Sequence, residues 1–159
     1  AECAERMRCD DWIEAVHAGW RALRGETPSE LQKVGAGGTP IVVVEPTLEH
    51  GIVNLLDNAA RAGGPVEVRV DWDERHLLVE IGDHGPGFSA AALARAGQAP
   101  FPAHEAGSGI GLLLTRAAIE RQGGRLELRN RPQGGGLARV ELPLARIALK
   151  TNDRTSENE

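Results

Sequence analysis

Tyrosine is absent from the 159-residue chain, and lysine occurs only as Lys33 and Lys150. Neither lysine follows a glycine loop, which excludes a Walker A phosphate loop and disfavours the strand lysine of protein kinases. Any phosphate handling must therefore fall to arginine, backbone amides and a metal. Cysteine is scarce too: Cys3 and Cys9 make neither a disulfide framework nor a four-ligand zinc pattern, and they read as reduced surface thiols. No run approaches the ~20 apolar residues of a membrane span, and "AECAERMRCDD" carries no visible secretory signal. A formal net charge of −5 argues against a nucleic-acid partner.

What is present suits a soluble domain with a substantial core: 41% of residues are apolar and 26% charged. "DDWIEAVHAGWRALR" (10–24) predicts an amphipathic helix, with Trp12, Ile13, Val16, Trp20 and Leu23 near one face. "GETPSE" breaks it, and "IVVVE" reads as a short buried strand. A second helix spans about 47–62, opened by Pro46 and closed by Gly63 and Gly64. "PVEVRVDW" and "LLVEIGD" form a strand pair around "DERH"; 89–97 reads as a short helix and 98–108 as a mobile loop. "GIGLLLTRAAIERQ" is a third main helix, followed by strands "RLELRN" and "ARVELPL". The tail over 148–159 is polar and expected to be disordered. The pattern predicts an α/β fold, a two-layer α/β sandwich whose mixed sheet of about five strands carries three main helices on one face.

The second helix contains "HGIVNLLDNAARAG", with two asparagines in mid-helix, where asparagine is a mediocre former. At 100° per residue Leu48, Ile52, Leu55 and Ala59 share one side, bordered by Leu56; His50, Asn54, Asn58 and Arg61 share the other. A solvated polar face is the plain explanation of the second stripe. Two later segments change the weighing. In "DHGPGF", Asp83 ends a strand and Gly85 and Gly87 follow at a spacing that lets backbone approach a ligand. An ionised aspartate only accepts hydrogen bonds, which suits an exocyclic amino group such as that of adenine. In "GSGIGLLL", Gly107, Gly109 and Gly111 lead straight into a helix, whose free N–H groups attract phosphate. A dinucleotide fingerprint would need glycine where Leu112 stands and a strand before the loop, so that reading is rejected.

The order Asn-x-x-x-Asn, Asp-x-Gly-x-Gly, Gly-x-Gly-x-Gly-Leu resembles the ATP-binding catalytic domain of sensor histidine kinases, in the GHKL (Bergerat-fold) superfamily. The resemblance covers about residues 40–145, with "NLLDNA" as the N box, "DHGPG" and "GSGIGL" as glycine boxes, and "GGGLARVELPL" as the closing turn and last strand. Within the kinases it is most similar to the RegB/PrrB redox-responding group, through "HGIVNLLDNA", "VDWD", "DHGPGF", "ARAGQAPF" and "GSGIGLLLTRAAIERQGG". The resemblance implies ATP and Mg²⁺ as cofactors. It makes Asn58 the residue whose amide oxygen ligates Mg²⁺, places Asn54 a turn earlier on that face, and gives Arg61 a reach to the phosphates. It makes Asp83 the adenine reader, with Gly85 and Gly87 shaping the adenine pocket. The lid hinge and phosphate contact fall to Gly107, Ser108, Gly109, Ile110, Gly111 and Leu112. Phe101 matches the lid phenylalanine, or is a loop hydrophobe that packs locally. Cys9 becomes a candidate redox-sensitive thiol if the subgroup holds, against the plain surface-thiol reading.

Ala62 departs from relatives that place an adenine-stacking aromatic after the basic residue. Hydrolysing relatives have a glutamate four residues before the magnesium asparagine; here Asn54, a neutral amide, cannot take a proton from water. The expected function is therefore transfer of the γ-phosphoryl group, with Asn54, Asn58 and Arg61 at the reacting end. None of His17, His50, His76, His84 or His104 sits in an acceptor box, so the acceptor lies on a separate dimerisation domain. On this reading 1–35 is a helical junction from that domain and 36–147 is the ATP-binding domain. The parent is expected to be a homodimer acting on a response regulator; this piece is cytoplasmic and the parent an inner-membrane sensor. The alternatives are an anti-sigma-factor-type serine kinase and a nucleotide-binding pseudokinase.

Overall fold

Alternation builds the sheet. In the strand Val66–Trp72 (β4) every odd-placed side chain, Val66, Val68, Val70 and Trp72, is buried, while Glu67, Arg69 and Asp71 face the other way. The strands His76–Gly82 (β5) and Gly136–Pro143 (β7) do the same with Leu77, Val79 and Ile81, and with Ala138, Val140 and Leu142. With Ser29–Lys33 (β2) and Arg125–Asn130 (β6) they form a five-stranded mixed sheet ordered β2-β4-β5-β7-β6. β2 runs parallel to β4 and the other pairs are antiparallel. The computed structural model describes residues 6–95 and 110–148.

Three helices cover the apolar face: Cys9–Arg24 (α1), Pro46–Ala62 (α2) and Ile110–Arg121 (α4). They lie side by side, α1 against β2, α2 against β4 and β5, and α4 against β6, with α2 touching both neighbours. This is the expected two-layer sandwich. Proline in the first turn of α2 costs no hydrogen bond, and Gly63, with φ of 117°, ends it. Leu48, Ile52, Leu55, Leu56 and Ala59 sink into the core as the helical period requires. The opposite face of the sheet is charged: register places Arg69 opposite Glu80, Glu80 opposite Arg139, and Arg139 opposite Glu127. Such cross-strand pairing of opposite charges keeps that face solvated.

Three features differ from the sequence reading. "SELQK", whose Ser29 and Glu30 belong to the expected break and whose remainder carries no expected element, is the edge strand β2; only Leu31 in it is apolar, because an edge strand over solvent needs little burial. "IVVVE" supplies Ile41–Val43 (β3), which leaves the main sheet and pairs with Arg6–Arg8 (β1) in a two-stranded ribbon. The five-strand count therefore holds with one member exchanged. Cys9, expected at the surface, is fully buried at the first position of α1, and burial pushes its thiol up to about 11. A thiol so raised is held mostly in its protonated, less reactive form.

Residues 1–35 and 36–147 were expected to separate into junction and domain. α1 and β2 contribute to the same core and the same sheet as everything that follows: Trp12, Ile13, Val16 and Trp20 join the cluster of α2 and β4. The short helix Ala90–Arg95 (α3) falls within the expected 89–97, and a single turn, Leu144–Ile147 (α5), follows β7. The loop read over 98–108 and the tail beyond 148 lie outside the described residues.

Candidate functional site

Between α2, α4 and the β5–β7 half of the sheet lies a cavity of about 370 Å³. That is within the ~300–1,000 Å³ typical of small-molecule sites. Its walls are apolar: Leu55 and Ala59 from α2, Ile81 from β5, Leu112 from α4, Leu128 from β6 and Ala138 from β7. Three polar side chains line it: Asn58, Arg61 and Asp83.

Asp83 is 5% exposed and sits where β5 gives way to the glycine turn. Burying a carboxylate is costly unless its oxygens are bonded. Here the backbone N–H of Gly85 and that of Gly136 each donate to Oδ1 at 2.9 Å. Oδ2 has no hydrogen bond among the described residues, and Asp83 lines the cavity. One oxygen is thus used to fix the carboxylate and the other remains an acceptor. The turn that supplies Gly136 approaches very closely: a Cβ on Gly135, whose φ is 89°, would stand 1.9 Å from the Asp83 carbonyl oxygen. No other residue fits there. Gly87, at φ 81°, lets the chain turn back beneath Phe88, which also lines the cavity.

The two asparagines of α2 part company. Asn58 lines the cavity, and its Oδ1 accepts a hydrogen bond from Arg61, one turn on. Asn54 does not line it; its Nδ2 donates to Thr115 Oγ1 of α4 at 3.4 Å. Thr115 is 1% exposed and in turn donates to the Gly111 carbonyl at 2.7 Å, the local back-bond that buried threonines make in helices. Gly51 packs directly beneath Thr115, where a Cβ would come within 3.2 Å. The polar stripe of α2 is therefore half helix–helix seam and half cavity wall.

Of the residues singled out in the sequence, Asn58, Arg61, Asp83, Gly87 and Leu112 line one cavity. Gly85 braces Asp83, and Gly111 abuts Asn54. Phe101, Gly107, Ser108 and Gly109 lie outside the described residues, as does the side chain of Ile110. Sequence reasoning missed Thr115, Phe88, Asn130 and Arg131. "DHGPGF" contained a signal for Phe88; for the others only the three-dimensional fold brings them to the site. Among the histidines, His17 is buried and hydrogen-bonded to Ser29, and His84 is paired with Glu67 at 2.9 Å. The Arg131 guanidinium, with His84, holds the Glu67 carboxyl below its ordinary range.

A cavity roofed by a glycine turn, with one uncommitted buried carboxylate oxygen inside and an amide and an arginine on the adjoining helix, has the shape and donor set that suit a nucleotide. Residues 43–146 match the family described as histidine kinase-, DNA gyrase B- and HSP90-like ATPases, and the chain belongs to it. It is an ATP-binding catalytic domain of the sensor-histidine-kinase kind. Over 112 residues it is 32% identical to the sensor protein KdpD of Escherichia coli, covering 66% of this chain and 12% of that protein. It is 28% identical to the sensor histidine kinase RegB of Cereibacter sphaeroides, over 89% of this chain and 36% of that protein. The fold matches the solved mycobacterial sensor histidine kinase MprB with a TM-score of 0.72 at 24% identity, covering 87% of this chain and 97% of that one. The chain thus spans between about a tenth and a third of these two curated relatives. No helix among the described residues is long and apolar enough to cross a membrane.

Proposed function

We propose that this chain binds Mg-ATP with its base against Asp83 and its phosphates along the Asn58–Arg61 side of the cavity, and passes the γ-phosphoryl group to a histidine on a separate dimerisation domain. The observation that carries the reading is the divided Asp83 carboxylate, with Oδ1 tied to two backbone amides and Oδ2 left for a donor in the cavity. Adenine offers an amino donor there and guanine a carbonyl oxygen, so the site favours adenine.

The donor set fits Mg²⁺. Asn58 Oδ1 is a hard oxygen that already faces a cationic group, the Arg61 guanidinium. The described residues contain no cluster of three or more His, Cys, Asp or Glu side chains that could cage a metal. One protein oxygen plus nucleotide phosphates is the manner in which Mg²⁺ is commonly bound. Bound there, the ion would neutralise charge on the phosphate oxygens. Arg61 would draw the phosphates toward α2, and the N–H groups at the start of α4 would meet them as those of a helix N-terminus do. Asn54, neutral and turned toward Thr115, offers attacking water no base, so ATP is kept for another acceptor.

The resemblance to RegB covers 89% of this chain, and a redox-responding parent is part of this reading. The parent acts as a homodimer in or at the inner membrane, with this domain in the cytoplasm, and hands the phosphoryl group to a response regulator.

Calorimetry with Mg²⁺ and a non-hydrolysable ATP analogue tests the site. Asp83→Asn and Asn58→Ala should each weaken binding by about tenfold or more, the worth of a lost hydrogen bond to a charged group. Wild-type affinity in both variants would refute the placement. Incubation with ATP and a histidine-containing dimerisation domain should give an acid-labile phosphoprotein. An acid-stable product would instead mark a serine kinase, and tight binding without transfer a pseudokinase.

A further inference from the structure

Asp83 and Phe88 close the two ends of the loop that leaves β5, and no ladder of β5 with β6 can hold it, because β7 lies between those strands. Two consecutive residues at the end of β6 hold it instead. The side-chain amide of Asn130 pairs with Phe88 in both senses: Oδ1 accepts from the Phe88 N–H at 2.7 Å, and Nδ2 donates to the Phe88 carbonyl at 2.9 Å. A side chain here replaces the missing bridge between strands. Arg131 reaches the other end. Its Nη2 donates to the Asp83 carbonyl at 2.7 Å, and its Nη1 meets Glu67 at 2.7 Å. The guanidinium crosses the sheet at Gly82, where a Cβ would come within 2.7 Å of Nη1.

Arg131 is not a surface ion pair of the usual kind. Its side chain is 8% exposed, and its third contact is with the Gly134 carbonyl at 3.4 Å, inside the turn that presents Gly136 to the Asp83 carboxylate. The same residue therefore grips the backbone of Asp83 from behind while organising the turn that grips its Oδ1 from the side. Phe88, fixed by Asn130, lays its ring edge against Gly136, where a Cβ would lie 2.7 Å from Cε2. Asp83 and Phe88, which both line the cavity, are thus held by two side chains that do not line it.

We infer that Asn130 and Arg131 are positioning residues for base recognition, clamping Phe88 and Asp83 so that the free carboxylate oxygen and the aromatic ring meet the purine in fixed register. The inference rests on the nucleotide reading above. It also answers the Ala62 departure: the aromatic wall missing from α2 is supplied by Phe88, and Asn130 keeps it in place.

The test compares affinities for an ATP analogue, a GTP analogue and inorganic tripolyphosphate, each with Mg²⁺, in wild type, Asn130→Ala, Arg131→Lys and Asp83→Asn. Loosening the clamp should weaken the ATP analogue by about tenfold and collapse the adenine-over-guanine ratio toward parity, the loss of one charged hydrogen bond. Tripolyphosphate affinity, which reads only the phosphate end, should stay at the wild-type value; a merely unfolded or loosened domain would lose that too. Asn130→Asp keeps the acceptor for the Phe88 N–H and loses the donor, so it should fall between wild type and Asn130→Ala, and it carries the test if the alanine variant does not fold. A wild-type base ratio in Asn130→Ala and Arg131→Lys, with Asp83→Asn showing none, would overturn the clamp and leave the site standing. An unchanged ratio in Asp83→Asn would overturn both.

Discussion

The indole N–H of Trp20 on α1 donates to Asp57 Oδ1 on α2 at 3.0 Å, and Arg24 reaches the same oxygen at 2.8 Å. Asp57 precedes Asn58, so α1 is pinned to α2 at the turn that lines the cavity.

Removing the indole donor while keeping a ring, with Trp20→Phe, leaves a half-buried carboxylate short of a partner. Trp20→Phe and Asp57→Ala should each cost about 1–3 kcal/mol in urea unfolding. The double variant should cost clearly less than the sum, since both changes delete one interaction. Arg24→Ala should cost under ~1 kcal/mol, because that side chain is 45% exposed and its ion pair is screened by water. Additive single effects would show that the indole and the carboxylate do not act on each other.

His17 gives the fold an acid-sensitive seam between α1 and β2. Burial, with the Arg21 charge nearby, holds its ring below the ordinary histidine range, and the ring is hydrogen-bonded to Ser29 at 2.6 Å. Where the folded value is lowered, the unfolded chain takes up a proton that the folded chain refuses. Its contribution to stability is therefore whole above the ordinary value of about 6.5 and is lost as pH falls from there toward the lowered one. Unfolding midpoints in urea measured from pH 7.5 down to 5 should fall more steeply for the wild type than for His17→Gln. Parallel curves would assign the acid response to other groups.

Cys9 should be chemically silent in the folded chain. A thiol raised from 9.0 to about 11 has roughly a hundredfold less thiolate near pH 8, before its burial is counted. In a Cys3→Ser background, iodoacetamide at pH 8 should label the native protein at least that much more slowly than the urea-unfolded one. Equal rates would mean that α1 leaves the core at little cost.

Elements with strong periodicity were legible in the sequence: the valine alternation of β4 and the apolar stripe of α2 emerge as written. β2 was not, because one leucine among polar residues carries no signal until a neighbouring strand offers it an edge. Among site residues, Asp83, Asn58 and Arg61 were legible from motif spacing and do share a cavity. That Asn54 turns toward Thr115 of α4 was not legible, since its spacing from Asn58 says nothing about which helix lies beside it. Asn130 and Arg131 were invisible because their partners lie 42 and 48 residues away in the chain.

β2 supplies the parallel neighbour along β4, from Ser29 opposite Val66 to Lys33 opposite Val70. A recombinant piece trimmed to begin at residue 36 would bare that flank as a row of unmet amides and carbonyls, and would take the tryptophans of α1 off the core beside it. Such an uncovered margin is a template for strand addition between molecules. Dissection at the apparent motif boundary would therefore yield aggregates, and the failure would be easily mistaken for loss of nucleotide binding.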